Sequence, residues 1–222
     1  MSNFTSHKTF LSVLLTLAFA GFSVGGSYYV EGMSPYSWSL AKFEDKVFQE
    51  FEDKRKAEEL RYEKKVKGKI LGIMSDYNTG LDEDDFKKLP GWIYDQSKKY
   101  GYDPLFLTAM IMTESSFNNW ARSYQGALGL MQIRPATGYA LASETSIEWF
   151  GKPTLYDPGI NIALGAYYLN KMVLRFGDLR LALEAYNHGP SQLSIYLKKG
   201  KRPSRYSKKV LENYRNIKMK II

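Results

Sequence analysis

Short blocks of apolar residues recur at helical spacing along most of this chain, and no run alternates with the period of two that marks a half-buried strand. The clearest block covers residues 103–114. Asp103 supplies an N-cap and Pro104 suits the first helical position. Leu107, Met110, Ile111 and Glu114 then fall on one stripe, at i, i+3, i+4 and i+7. The same Asp-Pro start recurs at Asp157 and Pro158. It predicts a long helix through Ile162, Tyr167 and Leu169 to Phe176, stopped by Gly177. Further helices are predicted over 90–100, closed by Gly101, and over 135–143, 179–187, 191–199 and 204–219, with 118–128 as a loop. The predicted class is mainly α, with a minor hairpin inside a loop left open.

Two upstream segments differ from this pattern. Residues 9–30 form 22 consecutive uncharged positions, preceded by His7 and Lys8, as an export segment requires. A cleaved signal peptide would use a small-x-small site such as Ala18-Phe19-Ala20. A retained anchor needs about 20 apolar residues, with Tyr28, Tyr29, Tyr36 and Trp38 as an interfacial belt. The anchor fits slightly better, and either reading places the remainder outside the cytoplasm, in the periplasm or cell envelope. From Lys42 to Lys69, 18 of 28 positions are Asp, Glu, Lys or Arg. Leu40, Phe43, Val47 and Phe51 make one short stripe and the spacing then lapses, which suits a solvated helical spacer rather than a coiled coil. The expected organisation is therefore 1–30 as signal or anchor, 31–80 as spacer and linker, and 81–222 as the main domain.

Composition removes several functions. With no cysteine there is no disulfide, thiol nucleophile or cysteine-held metal. The net charge of +8 is local: residues 198–222 hold ten basic residues and one acid, so they carry +9 and the rest of the chain about −1. Such a basic tail suits an anionic polymer or a membrane surface, and no nucleic-acid motif accompanies it. A solvated helix face accounts for the same charges.

Glu114 is the candidate for chemistry. A carboxylate that continues an apolar stripe is partly desolvated, which raises its pKa and prepares it as a glycosidase acid. A glutamate reaching solvent from a helix end satisfies the same pattern. Three further blocks bear on the choice: Ser115-Ser116-Phe117-Asn118, then Gly129-Leu130-Met131-Gln132 with Pro135, then Ala185-Tyr186-Asn187 with Gly189-Pro190. In this order and spacing, with Asp157-Pro158, Asn161-Ile162, Gly165 and Tyr168-Leu169, they resemble the catalytic domain of the soluble lytic transglycosylases over roughly residues 90–214.

The resemblance implies a lysozyme-like helical domain with Glu114 as the single catalytic acid/base. It implies that Gln132 lines the saccharide cleft, that Tyr186 hydrogen-bonds near Glu114 and helps hold it, and that Asn187 contacts substrate. Ser123 matches a serine that meets the N-acetyl group or the attacking hydroxyl, and Met131 packs against the site and keeps it apolar. His188 stands where the family most often has alanine, and Arg134 occupies a variable position. The expected reaction cleaves the MurNAc–GlcNAc bond of peptidoglycan with formation of a 1,6-anhydro end. Peptidoglycan strands are the expected partner, with no metal or organic cofactor. A hydrolytic muramidase on the same fold and a non-catalytic wall-binding scaffold are the alternatives.

Overall fold

The computed structural model describes residues 35–219. The uncharged run at 9–30 lies outside them, and no helix among the described residues is long and apolar enough to cross a membrane. The chain divides into two compact units, residues 1–54 and 55–222. Helix α1 (Pro35–Met74) contributes its residues 35–54 to the first, where Phe43, Phe48 and Phe51 are exposed.

In the second unit the helices are the remainder of α1, α2 (Glu83–Tyr100), α3 (Pro104–Ser115), α4 (Pro135–Thr145), α5 (Pro158–Phe176), α6 (Leu179–His188), α7 (Pro190–Lys198) and α8 (Arg205–Met219). A 3₁₀ turn at Lys152–Tyr156 leads into α5. Among the described residues, the extended pairing consists of two isolated bridges, Arg122 with Leu128 and Leu128 with Ile133.

Local chemistry sets the helix ends. Asp103 caps α3 by accepting the Leu105 N–H, and Asp157 caps α5 through Ile160 N–H. Helix α2 starts earlier than its apolar spacing suggests. Asp82 caps it, and Glu83, Asp84 and Asp85 in its first turn favour the helix dipole, so Pro90 falls inside the helix.

Every residue of α3 from Pro104 to Ile111 is buried. The stripe of Leu107, Met110 and Ile111 is therefore one side of a helix enclosed all round. Its most extensive packing is against α8, while α5 packs against α2 and α6. Tyr206, Val210 and Ile217 of α8 are buried in the same core, so the segment expected as a basic tail closes the domain with its apolar face and turns its charges outward. Residues expected as spacer also reach this core: Val66, Ile70 and Met74 of α1 are buried in it.

Candidate active site

Glu114 sits in the last turn of α3, where the chain leaves the core through two left-handed residues. Ser116 (φ 51°) caps the helix and returns its N–H to Met112 O; Phe117 (φ 60°) follows, fully buried. Non-glycine residues in this conformation cost of order 1 kcal/mol or more each and persist where packing enforces them. Here the Phe117 ring lies 5.2 Å from Tyr77, and its burial holds the turn.

The loop that faces Glu114 is organised by one buried side chain, Asn161 of α5. Its Oδ1 accepts the Met131 N–H at 2.7 Å, and its Nδ2 donates to Leu128 O at 3.0 Å and Leu155 O at 2.8 Å. Gly129 (φ +77°) passes so close that a Cβ there would lie 2.3 Å from Asn161 Nδ2 and 2.4 Å from Leu155 O. Only glycine fits that approach. The loop thereby projects Gln132, itself left-handed at φ 50°, whose amide nitrogen donates to Ala121 O and Gly129 O. Ser123 closes a tighter turn beside it: its Oγ accepts the Ala127 N–H at 3.0 Å and keeps its own proton to donate.

Glu114, Ser123, Gln132, Tyr186 and Asn187 all line one cleft of about 810 Å³. Met131 does not. It is fully buried, with its thioether against Gly165, and it contributes through its backbone. The expected bond between Tyr186 and Glu114 is also replaced. Tyr186 donates its hydroxyl to Met131 O at 2.7 Å and packs 5.1 Å from the Tyr168 ring, bracing the Gln132 loop. The hydroxyl that Glu114 Oε1 accepts belongs to Tyr206 of α8. The cause is geometric: α8 packs along α3, whereas α6 directs Tyr186 across to the loop.

Tyr206 was missed because its segment reads as a run of charges. The signal lay in the spacing of Tyr206, Val210 and Ile217, one apolar face at i, i+4 and i+11. Tyr124, Thr137 and Tyr168 also line the cleft without having been singled out as site residues.

Burial pushes the Glu114 carboxyl up to about 7, against the smaller opposing effects of the Tyr206 hydroxyl and the Lys209 charge. Tyr206 itself is raised well above 10 by burial and by the Glu114 charge, so it remains a donor. Its hydrogen bond favours the carboxylate form. Tyr206→Phe is therefore expected to move the alkaline limb of the pH–activity profile to higher pH, read from kcat/KM at intervals between pH 5 and 9. A limb that stays in place or moves down would contradict this account.

Glu114 is the sole carboxylate among the residues lining the cleft. The pH range in which it exchanges its proton spans neutrality, which suits a group that gives a proton and then takes one back. Hydroxyl and amide groups surround it, and aromatic rings wall it.

The match to known proteins runs across this site. The family model described as the Transglycosylase SLT domain matches residues 92–208, a span that includes both Glu114 and Tyr206. Over 117 residues the chain is 37% identical to the transglycosylase of Enterobacteria phage PRD1, covering 53% of this chain and 39% of that protein. Over 94 residues it is 36% identical to the soluble lytic murein transglycosylase of Escherichia coli (strain K12), covering 41% of this chain and 15% of that one. The X-ray structure of an inactive Glu-to-Gln mutant of the lytic transglycosylase Slt from Pseudomonas aeruginosa is similar with a TM-score of 0.52 at 28% identity, over 59% of this chain and 24% of that one. The chain thus spans well under half the length of each of these relatives. With more than half its residues matched, and a mainly helical, lysozyme-like domain around the matched site, the chain belongs to the transglycosylase SLT domain family.

Proposed function

We propose that this protein is a lytic transglycosylase that cleaves the MurNAc-β-1,4-GlcNAc bond of peptidoglycan and leaves 1,6-anhydro-MurNAc ends. The observation that carries this reading is the single cleft carboxylate, Glu114, raised to about 7. Ordinary retaining and inverting glycosidases need two carboxyl groups across the scissile bond. With one, the second function falls to the substrate.

In this scheme protonated Glu114 donates to the glycosidic oxygen as the bond to the MurNAc C1 breaks. The 2-acetamido group of the same sugar stabilises the positive charge that develops there. Glu114, now a carboxylate, takes the proton from the sugar's own C6 hydroxyl as O6 bonds to C1. The ring closes, and the enzyme returns to its protonated form. Tyr206 would stabilise the carboxylate between the two steps by donating to it. Ser123, Gln132 and Asn187 would hold the glycan, while Met131 and Tyr186 support the Gln132 loop from behind.

Relatives named as soluble and as membrane-bound lytic murein transglycosylases are consistent with action on the cell wall. Export or anchoring through residues 9–30 completes the proposal, and N-terminal sequencing of the mature protein distinguishes cleavage from retention. The deciding experiment is mass spectrometry of peptidoglycan digested by the full chain. Anhydro-ended muropeptides are the expected product. Reducing ends would assign the hydrolytic alternative, and no release at all would favour a wall-binding scaffold.

A further inference from the structure

Helix α8 delivers Tyr206 to Glu114 from its first turn, where the backbone N–H groups have no partners within the helix. The first backbone bond of α8 runs from Lys208 N–H to Ser204 O at 3.1 Å, which leaves the N–H of Ser207 to be satisfied from elsewhere. Its partner comes from another helix. Glu184 of α6 is fully buried, and its Oε1 accepts the Ser207 N–H at 2.7 Å. Ser207 is buried as well, so water does not stand in for that acceptor. The contact needs only an oxygen, and it holds whether the carboxyl is charged or carries a proton on Oε2.

Farther along α8, Asn213 Nδ2 donates to Thr113 Oγ1 at 2.9 Å and the Tyr214 hydroxyl donates to Asp103 Oδ2 at 2.5 Å. These bonds fix α8 along α3 beyond its first turn. Ahead of that turn the chain passes through Gly200 (φ +70°) and the exposed Lys201 and Arg202. Among the described residues, Glu184 is thus the side chain that ties the backbone of the first turn to the rest of the domain. Ser207 directly follows Tyr206, and a hydrogen bond weakens steeply as its donor swings out of line.

We propose that Glu184 is a positioning residue for the catalytic centre: by holding the Ser207 N–H it fixes the first turn of α8 and keeps the Tyr206 hydroxyl aimed at Glu114. This rests on the reading of Glu114 as the acid and base of the site. Glu184 does not line the cleft, and it acts through Tyr206.

Three replacements separate a tie from a charge. Glu184→Gln keeps an oxygen for Ser207 and discards any charge. Glu184→Asp keeps the carboxyl group but draws it back by one methylene, and Glu184→Leu removes the acceptor altogether. The other groups that act on Glu114 are Lys209 of α8 and Tyr186 of α6, while His188 faces Glu184 from its own helix; all are left in place. The titration of Glu114 is followed in the full chain without substrate, by carbon-13 NMR of its labelled carboxyl between pH 5 and 9, with Glu114→Gln to assign the signal.

Glu184→Leu and Glu184→Asp are expected to move that titration upward, in the direction of Tyr206→Phe, and Glu184→Gln should restore the wild-type position. In the Tyr206→Phe chain the Glu184 replacements should add nothing, because the hydroxyl they act through is gone. Amide exchange at Ser207 should speed up in the Leu and Asp variants alone. On peptidoglycan strands, Glu184→Leu should lower kcat by about tenfold at unchanged KM, the scale of a hydrogen bond to a charged group.

A Glu114 titration unmoved by Asp and Leu, one moved by Gln as far as by Asp, or shifts that add to that of Tyr206→Phe would each overturn the tie. Should the Leu variant fail to fold, the contrast between Asp and Gln carries the comparison. Absence of cleavage by the wild type sinks the proposed reaction instead, and the NMR titration then decides the role of Glu184 alone.

Discussion

Glu114→Gln is expected to lower glycan cleavage by ~10⁴-fold or more while making the protein more stable above neutral pH. The loss of activity follows from the lining of the cleft. No second carboxyl stands there to supply the acid or the base, so one substitution removes both. The stability effect has the opposite sign because the native site disfavours the charge it uses. Burial raises the Glu114 carboxyl from an ordinary 4.5 to about 7.

Below pH 4.5 the folded and unfolded chains both hold this proton, and the stability associated with it is fully present. As pH rises from about 4.5 to about 7 the unfolded chain releases the proton first, so stability is lost across that window, by up to about 3 kcal/mol. Glutamine keeps the shape, and it keeps an oxygen for the Tyr206 hydroxyl without the charge. The variant should melt several degrees above the wild type at pH 8 and close to it at pH 4, on the scale of about 2–4 °C per kcal/mol for a chain of this size. Calorimetry at the two pH values checks this. An equal gap at both would show that burial of the charge is not what strains the site.

Asn161→Ala is expected to cost about 2–5 kcal/mol and to take activity down with it. The side chain is fully buried and makes three hydrogen bonds, to Met131 N–H, Leu128 O and Leu155 O. Removing it leaves the Met131 N–H and Leu155 O without this partner, at about 1–3 kcal/mol for each group left unsatisfied, while Leu128 O still accepts the Ile133 N–H. The lower part of the summed range allows for relaxation of the loop. Asn161→Asp should be no milder. It keeps the acceptor for Met131 but sets an anion against two carbonyl oxygens. Urea denaturation of both variants measures the loss, and kcat/KM measured well below the unfolding midpoint reports the loop. A variant that loses stability and keeps full activity would show that Gln132 is held by other means.

How much of this was visible beforehand differs from element to element. The Asp-Pro starts at Asp103 and Asp157 placed two helix ends correctly, because a cap and a fixed φ act within a few residues. The left-handed stops at Gly101 and Gly177 worked for the same reason. Helix α2 began earlier than expected because its first turns are polar, and its capping and acidic first turn, not apolar spacing, define its start. Residues 66–74 and 205–219 were misjudged together. Residues 205–219 are rich in charge, and 66–74, charged only at Lys67 and Lys69, adjoin the charged run of 42–69; in each case the surrounding charge hides an apolar face that becomes evident only when there is a core for it to cover. Among the site residues, the blocks around Glu114, Gln132 and Tyr186 identified the cleft, since each lies in a short motif. The partner of Glu114 was not legible: Tyr206 is 92 residues away and joins the site through the packing of α8 on α3.

By itself, then, the sequence determined the helical class, the capped ends of the central helices and the identity of the one carboxylate worth testing, because these depend on local geometry and on residue type. The tertiary structure decided what those residues do to one another. It enclosed Glu114 so that its carboxyl rises to about 7, and it brought Tyr206 onto it while sending Tyr186 to the loop. It also sealed Glu184 beneath His188. Desolvation and hydrogen bonding depend on which surfaces meet across the core, and contacts between residues far apart in the chain are absent from local spacing.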